Sequence, residues 1–477
     1  MDITTKDKRN PQRMNIKLSM KDFKGITLIL LLTAKFFTAN AQGDSITQKL
    51  NEYLLAAYKE NRFNGNALIA QQGKILLQKS YGYKNFAAHI SNDSNALFQI
   101  GSVTKQFTAT VILKLQEKGK LSVNDKLSTY FPQFKYAGEI TIENLLTHTS
   151  GIYNYTNDID EDDSAIVCNS IDKQLALDIM FKHELDFIPG TQFRYDNSGY
   201  YLLGLIIEKV TGKSYEQNVR DIIFIPQQMN HSLFDFKDSR DTNIATGYQT
   251  LNDTVQKVAS AWRWDSTVTY AAGGIWSTTG DMYKWAQVIA NKKILSAESW
   301  KAMLTPHLDK YGYGVFIDSL FGEQTISHGG GIPGFIAYLN YYPANDVTIV
   351  LLSNEGWFDG SLNEINANLS AIIFHKPYEL MREHIGIKLP DELLKKYVGQ
   401  YDFDEKHHAY ITLENNQLQM EAPQGGLPKS PLFADDQNNF YLKVIDARIE
   451  FIKDASGNIT ELIAHYMGKN EVCKKVK

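Results

Sequence analysis

The run Phe107–Leu115 (FTATVILKL) constrains the fold more than any other stretch of the chain. It is apolar on nearly every side, so as a helix it has to be enclosed by other elements rather than laid on a surface. Gly119 supplies a C-terminal stop. Just before the run come Ser102 and Lys105, three residues apart. At the start of a helix, that spacing puts both side chains on one face, one turn apart. Burial disfavours an ammonium, so a lysine in that setting can hold a neutral amine and take a proton from the serine hydroxyl. The free amides of a helix start also favour developing negative charge. The pattern alone decides little. Ser-x-x-Lys recurs at Ser170 and Lys173, and a helix-start serine with a solvated lysine explains either copy.

A chain of 477 residues is long enough for two domains, one large and one small. Its formal net charge is -5. Residues 1–41 carry a net +5, which leaves the rest at -10. Such an acidic body argues against nucleic acid or an anionic membrane surface as the main partner. Residues 1–41 read as an export signal. Lys17, Lys21 and Lys24 precede the apolar run Ile26–Ala34, and Ala39-Asn40-Ala41 forms an A-x-A cleavage pattern. The run is too short to span a bilayer, so the mature chain is expected in the periplasm or outside the cell, without a stable membrane span. Met14 and Met20 are alternative starts, because the segment before them is unlike a signal. Cys168 and Cys473 lie too far apart in the chain to suggest a disulfide framework or a metal site. Neither the acidic stretch Asp158–Asp163 nor His407-His408 has the spacing of a metal site. No metal and no cofactor are expected.

Taken in order, residues 45–61 have helical periodicity and Asn66–Ala70 with Lys74–Lys79 form a hairpin around Gln72-Gly73. Helices follow from Ser102, near Thr141, at 199–210 and after Ser277. Strands return at Tyr311–Ile317, Phe335–Tyr342 and Val347–Ser353, the last two joined through Pro343–Asp346. Strands at both ends with helices between them make an α+β architecture: one antiparallel sheet flanked by helices, with a helical insert. After Lys376-Pro377 the pattern turns to period-2 runs between turns, which predicts a small all-β, barrel-like domain over 377–477. The expected organisation is a signal over 1–41, a main domain over 42–376 and the β domain over 377–477.

A serine hydrolase also needs a second acid-base group and an oxyanion hole. Tyr-x-Asn occurs at Tyr83, Tyr155, Tyr195 and Tyr338. Tyr195 precedes an apolar helix and makes a good perch; Tyr155, also on a loop, is a rival. Four motifs then follow in order: Ser102-Val103-Thr104-Lys105, Leu145–Gly151 (LLTHTSG), Tyr195–Tyr200 (YDNSGY) and His328-Gly329-Gly330. Together they resemble the β-lactamase-related serine hydrolases over roughly residues 45–375, a family that includes class C β-lactamases, D-alanyl-D-alanine carboxypeptidases, D-aminopeptidases and esterases. The resemblance implies Ser102 as acylated nucleophile, Lys105 as its general base and Tyr195 as the proton carrier to the leaving group. It implies Asn197 and the His328-Gly329-Gly330 strand as substrate-binding, and the N–H groups of Ser102 and Gly331 as the oxyanion hole. His148 reads as a turn-fixing residue. The β domain resembles the lipocalin-like domains appended to some of these hydrolases.

His-Gly-Gly stands where the family has Lys-Thr-Gly. Histidine is charged only part of the time near neutrality, and the glycines remove a hydroxyl. This weakens the expectation of an efficient β-lactamase. The implied function is an exported hydrolase that forms an acyl-enzyme on amide or ester bonds of D-amino-acid peptides, small esters or β-lactams, with a small-molecule or peptide substrate. The alternative is a penicillin-binding-like protein that binds or senses ligand without turnover. Leaving-group preference is expected to lie with the loops around Tyr153, the acidic stretch and Trp276.

Overall fold

The computed structural model describes residues 45–159, 167–234, 243–250, 258–260, 263–356, 361–381, 386–404, 406–425, 427–442, 447–466 and 469–476. The export segment over 1–41 and most of the acidic stretch lie outside these residues.

A six-stranded antiparallel sheet forms one layer. Its order is Lys74–Tyr81, Gly65–Gln71, Val347–Ser353, Phe335–Tyr342, Glu323–Ile332 and Phe316–Leu320. The first strands of the chain therefore pair with the last strand before the β domain, in register from Gly65↔Ser353 to Gln71↔Val347. All seven residues of Val347–Ser353 are buried, as in a strand covered on both faces. Helices Thr279–Ala290 and Ser361–Ile373 pack against this central part. A helix over 45–59 precedes the first strand, and most of the remaining helices lie in the insert between the sheet's two halves, so the α+β reading with a helical insert describes the main fold.

Two features differ from the sequence reading. Tyr311 is only bridged to Phe316, and the strand begins at Phe316. Glu323–Ile332, which carries His328, is a strand that only the family resemblance signals at His328-Gly329-Gly330, because three consecutive glycines depress β propensity and mask the residue pattern. Here the missing side chains let other backbone approach.

The helix of Thr104–Glu117 is buried at every position from Thr104 to Leu113 and again at Leu115. It follows a 3-10 turn, Gly101–Val103, so Ser102 sits on the turn rather than in the helix proper. Its hydroxyls and amide serve as internal fasteners. Thr104 Oγ1 accepts from Ile275 N at 3.2 Å, Thr108 Oγ1 donates to Ala271 O at 2.7 Å, and Gln106 Oε1 accepts from Trp285 Nε1 at 2.6 Å. Buried polar groups need such partners.

Eight strands, Gly399–Asp402, His408–Glu414, Gln417–Ala422, Leu427–Ala434, Asn439–Leu442, Ala447–Lys453, Ile459–Tyr466 and Lys469–Lys475, close a barrel. The pattern reading missed three of them. Pro428 and Pro431 disguise one, and charged or short composition disguises the first and last. Tyr397, Tyr401, Phe440, Phe451 and Leu462 form its buried core. An eight-stranded barrel is just wide enough for its interior to be filled by side chains.

Candidate active site

Ser102 and Lys105 meet as their spacing requires. Lys105 Nζ lies 3.0 Å from Ser102 Oγ, 2.9 Å from Asn197 Oδ1 and 3.0 Å from Ala272 O. The lysine side chain is fully buried, and burial pushes its ammonium down from 10.5 to about 7, against an opposing pull from Asp196. A neutral amine has two N–H groups and one lone pair. Asn197 Oδ1 and Ala272 O can only accept, so they take both N–H groups, and the lone pair is left facing the Ser102 hydroxyl.

Tyr195 closes the other side. Its phenol faces Ser102, and Lys105 Nζ lies 4.8 Å from its ring centre. Burial raises the phenol well above its ordinary range, with the Ser102 contact opposing. It is therefore a proton-bearing phenol at neutral pH, suited to donate. The rival Tyr155 is buried in a 3-10 turn, where its hydroxyl donates to Val268 O at 2.5 Å.

Asn197 opens the helix Asn197–Thr211, whose cap is Asp196: Asp196 Oδ1 accepts from Gly199 N at 2.6 Å. Left-handed Gly212 ends that helix. Asn197 is further held by its backbone N–H to Asn154 Oδ1 at 3.1 Å and its side-chain amide to Thr156 Oγ1 at 3.3 Å. The loop that follows the Leu145–Gly151 motif thus orients the residue that orients Lys105.

The glycine strand approaches from the sheet. Pairing with Phe316–Leu320 ends at Ser327↔Phe316, and the strand beyond meets the Ser102 turn. Contact is close enough that side chains are excluded. A β-carbon on Gly330 would fall 2.0 Å from Ile100 O and 2.9 Å from Ser102 N, and one on Gly101 would fall 2.9 Å from Gly331 N. The backbones that carry the Ser102 and Gly331 N–H groups are therefore side by side.

His328 is not the part-time cation the sequence suggested. It is 2% exposed. Tyr311 OH donates to its Nε2 at 2.9 Å, and its Nδ1–H donates to Gly329 O at 2.5 Å. Both nitrogens are used by a neutral ring, and burial with the nearby Lys105 pushes it down to about 3. Gly329 is half-buried and Gly331 exposed, so the strand offers backbone rather than charge to the cleft.

His148, fully buried, has ring centres of Tyr195 at 4.3 Å, Tyr311 at 4.6 Å and Tyr200 at 5.2 Å around it. Asp196 N donates to its Nδ1 at 3.3 Å. It packs the tyrosines in place. Sequence reasoning missed Ala272, Asp196 and Tyr311. Asp196 was signalled only by lying between Tyr195 and Asn197, and nothing in the sequence pointed to the Ala272 carbonyl. Trp276 is 1% exposed and packs on Phe335 at 5.1 Å, so it does not shape the cleft as expected. Tyr153 does lie on the loop, where it stacks on His183 at 3.8 Å and donates to Asp158 at 2.6 Å.

The second Ser-x-x-Lys copy is no pair: Ser170 Oγ points to Asp265 Oδ2 at 3.5 Å, while Lys173 Nζ meets Glu208 Oε2 at 2.5 Å. His407 and His408 are bound to different carboxylates, Asp404 and Asp402. Among the described residues, no group of three His, Cys, Asp or Glu is placed to hold a metal. No helix among them is long and apolar enough to cross a membrane.

The arrangement can deprotonate an alcohol, hold an oxyanion against backbone N–H groups and return a proton through a phenol. Comparison with known proteins identifies the family and the fold. The family model described as Beta-lactamase matches residues 46–368, and a domain of unknown function, DUF3471, matches residues 384–475. PbpX of Bacillus subtilis (strain 168) is 33% identical over 327 residues, 68% of this chain and 78% of its own. The octameric penicillin-binding protein homologue of Pyrococcus abyssi superposes with a TM-score of 0.65 at 25% identity, covering 90% of this chain and 99% of that one. D-amino acid amidase of Ochrobactrum anthropi SV3 shares the fold, with a TM-score of 0.62 at 23% identity over 70% of this chain and 99% of its own.

Proposed function

The chain belongs to the beta-lactamase family of serine hydrolases, and from that premise we propose that it cleaves amide or ester bonds through an acyl group carried on Ser102. The observation that carries the proposal is Lys105 Nζ, buried, poised near pH 7, with its N–H groups taken by two carbonyls and Ser102 Oγ 3.0 Å away. Ser102 Oγ attacks the substrate carbonyl carbon as Lys105 takes its proton. The oxyanion is held by the N–H groups of Ser102 and Gly331, each contributing on the order of 3 kcal/mol to the transition state. Tyr195 hands a proton to the leaving amine or alcohol and is reprotonated from Lys105. Asn197 orients Lys105 and the substrate amide. Water then attacks the acyl carbon, with the same groups removing and returning its proton, and Ser102 is released.

The substrate reading follows from His328. A neutral, buried ring supplies no fixed cation where the family's lysine would meet a substrate carboxylate. We place D-amino-acid amides and small esters ahead of β-lactams as substrates. The likeness in fold to a D-amino acid amidase is compatible with that order but does not carry it. The run Ile26–Ala34 with Ala39-Asn40-Ala41 supports an exported, periplasmic or secreted enzyme. A panel of D-amino-acid amides, p-nitrophenyl esters and a chromogenic cephalosporin tests this, with Ser102→Ala as control. Turnover of the first two classes that vanishes in Ser102→Ala is expected. Ligand binding without turnover in the wild type would instead favour a non-catalytic binder, and preferred turnover of the cephalosporin would refute the substrate order.

A further inference from the structure

Tyr270 is the one buried non-glycine residue of the segment Ser266–Gly273 whose backbone leaves the helical region, at φ 41 and ψ -131. Such a conformation is strained in a residue with a side chain and persists only where its surroundings enforce it. Here they do so from two directions. On the inner side, the residues that follow the kink are tied to the nucleophile helix: Ala271 O accepts from Thr108 Oγ1 at 2.7 Å, Ala272 O from Lys105 Nζ at 3.0 Å, and Ile275 N donates to Thr104 Oγ1 at 3.2 Å. Gly274 N closes the kink onto Tyr270 O at 2.8 Å. On the outer side, the Tyr270 ring is wedged between the rings of Tyr201 at 4.9 Å and Tyr215 at 5.2 Å. It lies so close to the facing helix that a β-carbon on Gly204 would fall 2.5 Å from it. Lys173 Nζ, bound to Glu208, sits 4.9 Å over the ring centre.

Resting on the reading of Lys105 as base, we infer that Tyr270 is a positioning residue for that base. The enforced kink turns the Ala272 carbonyl onto Nζ, and the Lys173–Glu208 pair braces the ring from the surface. The second Ser-x-x-Lys copy thus supplies a brace through its lysine instead of a second nucleophile. Without the Ala272 acceptor, one N–H of the amine is free and the lone pair loses its fixed direction. A carbonyl dipole also favours the ammonium form, so its loss lowers the Lys105 pKa further. The other titratable groups facing Lys105 are Asp196, Tyr195 and Tyr200 on one side, His148 behind them and His328 on the strand, and none is touched by the substitutions below.

The test is the rate of Ser102 phosphonylation by a fluorophosphonate between pH 5 and 9, per mole of folded protein. Tyr270→Ala removes the wedge. It is expected to slow labelling roughly 10- to 100-fold, the scale of a misplaced reacting group, and to move the acid limb to lower pH. Tyr270→Phe keeps the wedge and should label as the wild type does. Lys173→Met, at a half-exposed site that does not threaten the fold, should shift both quantities in the same direction by less. A wild-type rate and limb in both Tyr270→Ala and Lys173→Met would overturn the inference while leaving Lys105 as base. If Tyr270→Ala does not fold, Lys173→Met decides alone. Wild-type labelling in Lys105→Met would instead overturn the reading beneath it.

Discussion

Replacing Lys105 by methionine should change how stability depends on pH, in a direction set by the burial of its amine. In the unfolded chain this lysine keeps its proton up to about 10.5; in the folded chain burial brings it to about 7. Between those values the unfolded state binds one proton more than the folded state. The free energy of unfolding therefore rises with pH through that window, at about 1.4 kcal/mol per pH unit for this one group. The whole span of the shift corresponds to about 5 kcal/mol of stability that is absent below pH 7 and regained as pH approaches 10.5. Lys105→Met has no such group. It leaves Asn197 Oδ1 and Ala272 O without their donor, at about 1–3 kcal/mol each. That penalty is independent of pH, so the slope carries the test and the offset does not. Urea denaturation of both proteins at pH 7, 8, 9 and 10, with all other titrating groups common to the pair, should show the wild type gaining on the variant at every step. Curves that stay parallel from pH 7 to 10 would refute a buried lysine with a depressed pKa, and with it the source of the base.

The same lysine sets the rate profile: acylation should decline below about pH 7 with the uptake of one proton, because His328, held down to about 3, adds no limb there. An acylation rate flat from pH 8 to pH 5 would count against Lys105 as base. Gly330→Ala forces a β-carbon to within 2.0 Å of Ile100 O. The resulting shift of the Ser102 turn should cost on the order of 100-fold in acylation while circular dichroism stays native; an unchanged rate would remove the strand from the site. His328→Lys restores the family's residue, yet here it strips Tyr311 of its acceptor and buries an ammonium. A stability loss of about 3 kcal/mol by denaturant titration is expected, without a gain in cephalosporin turnover.

The helix behind Ser102 and Lys105 was legible because an apolar run on all sides admits only an enclosed helix, and the two side chains then have to share a face. Asn197 and Tyr195 were legible from their place before a second apolar helix. What escaped depends on contacts distant in sequence. The Ala272 carbonyl reaches Lys105 only because Tyr270 is kinked, and no residue pattern announces a kink held by its neighbours. The neutrality of His328 depends on Tyr311, which arrives from a segment read as strand but lying just outside one. The strand Glu323–Ile332 was hidden by the same glycines that allow it to lie against the Ser102 turn. In the barrel, alternation revealed the strands with clean inward and outward faces and concealed the proline-bearing one.

The central claim is that Ser102 becomes acylated with Lys105 as its base. Intact-mass analysis followed by peptide mapping after brief exposure to a p-nitrophenyl ester tests it most directly. One acyl group per chain on Ser102, forming at pH 8 and absent in both Ser102→Ala and Lys105→Met, is the predicted result. An adduct on any other residue, or acylation of Ser102 undiminished in Lys105→Met, would contradict the account.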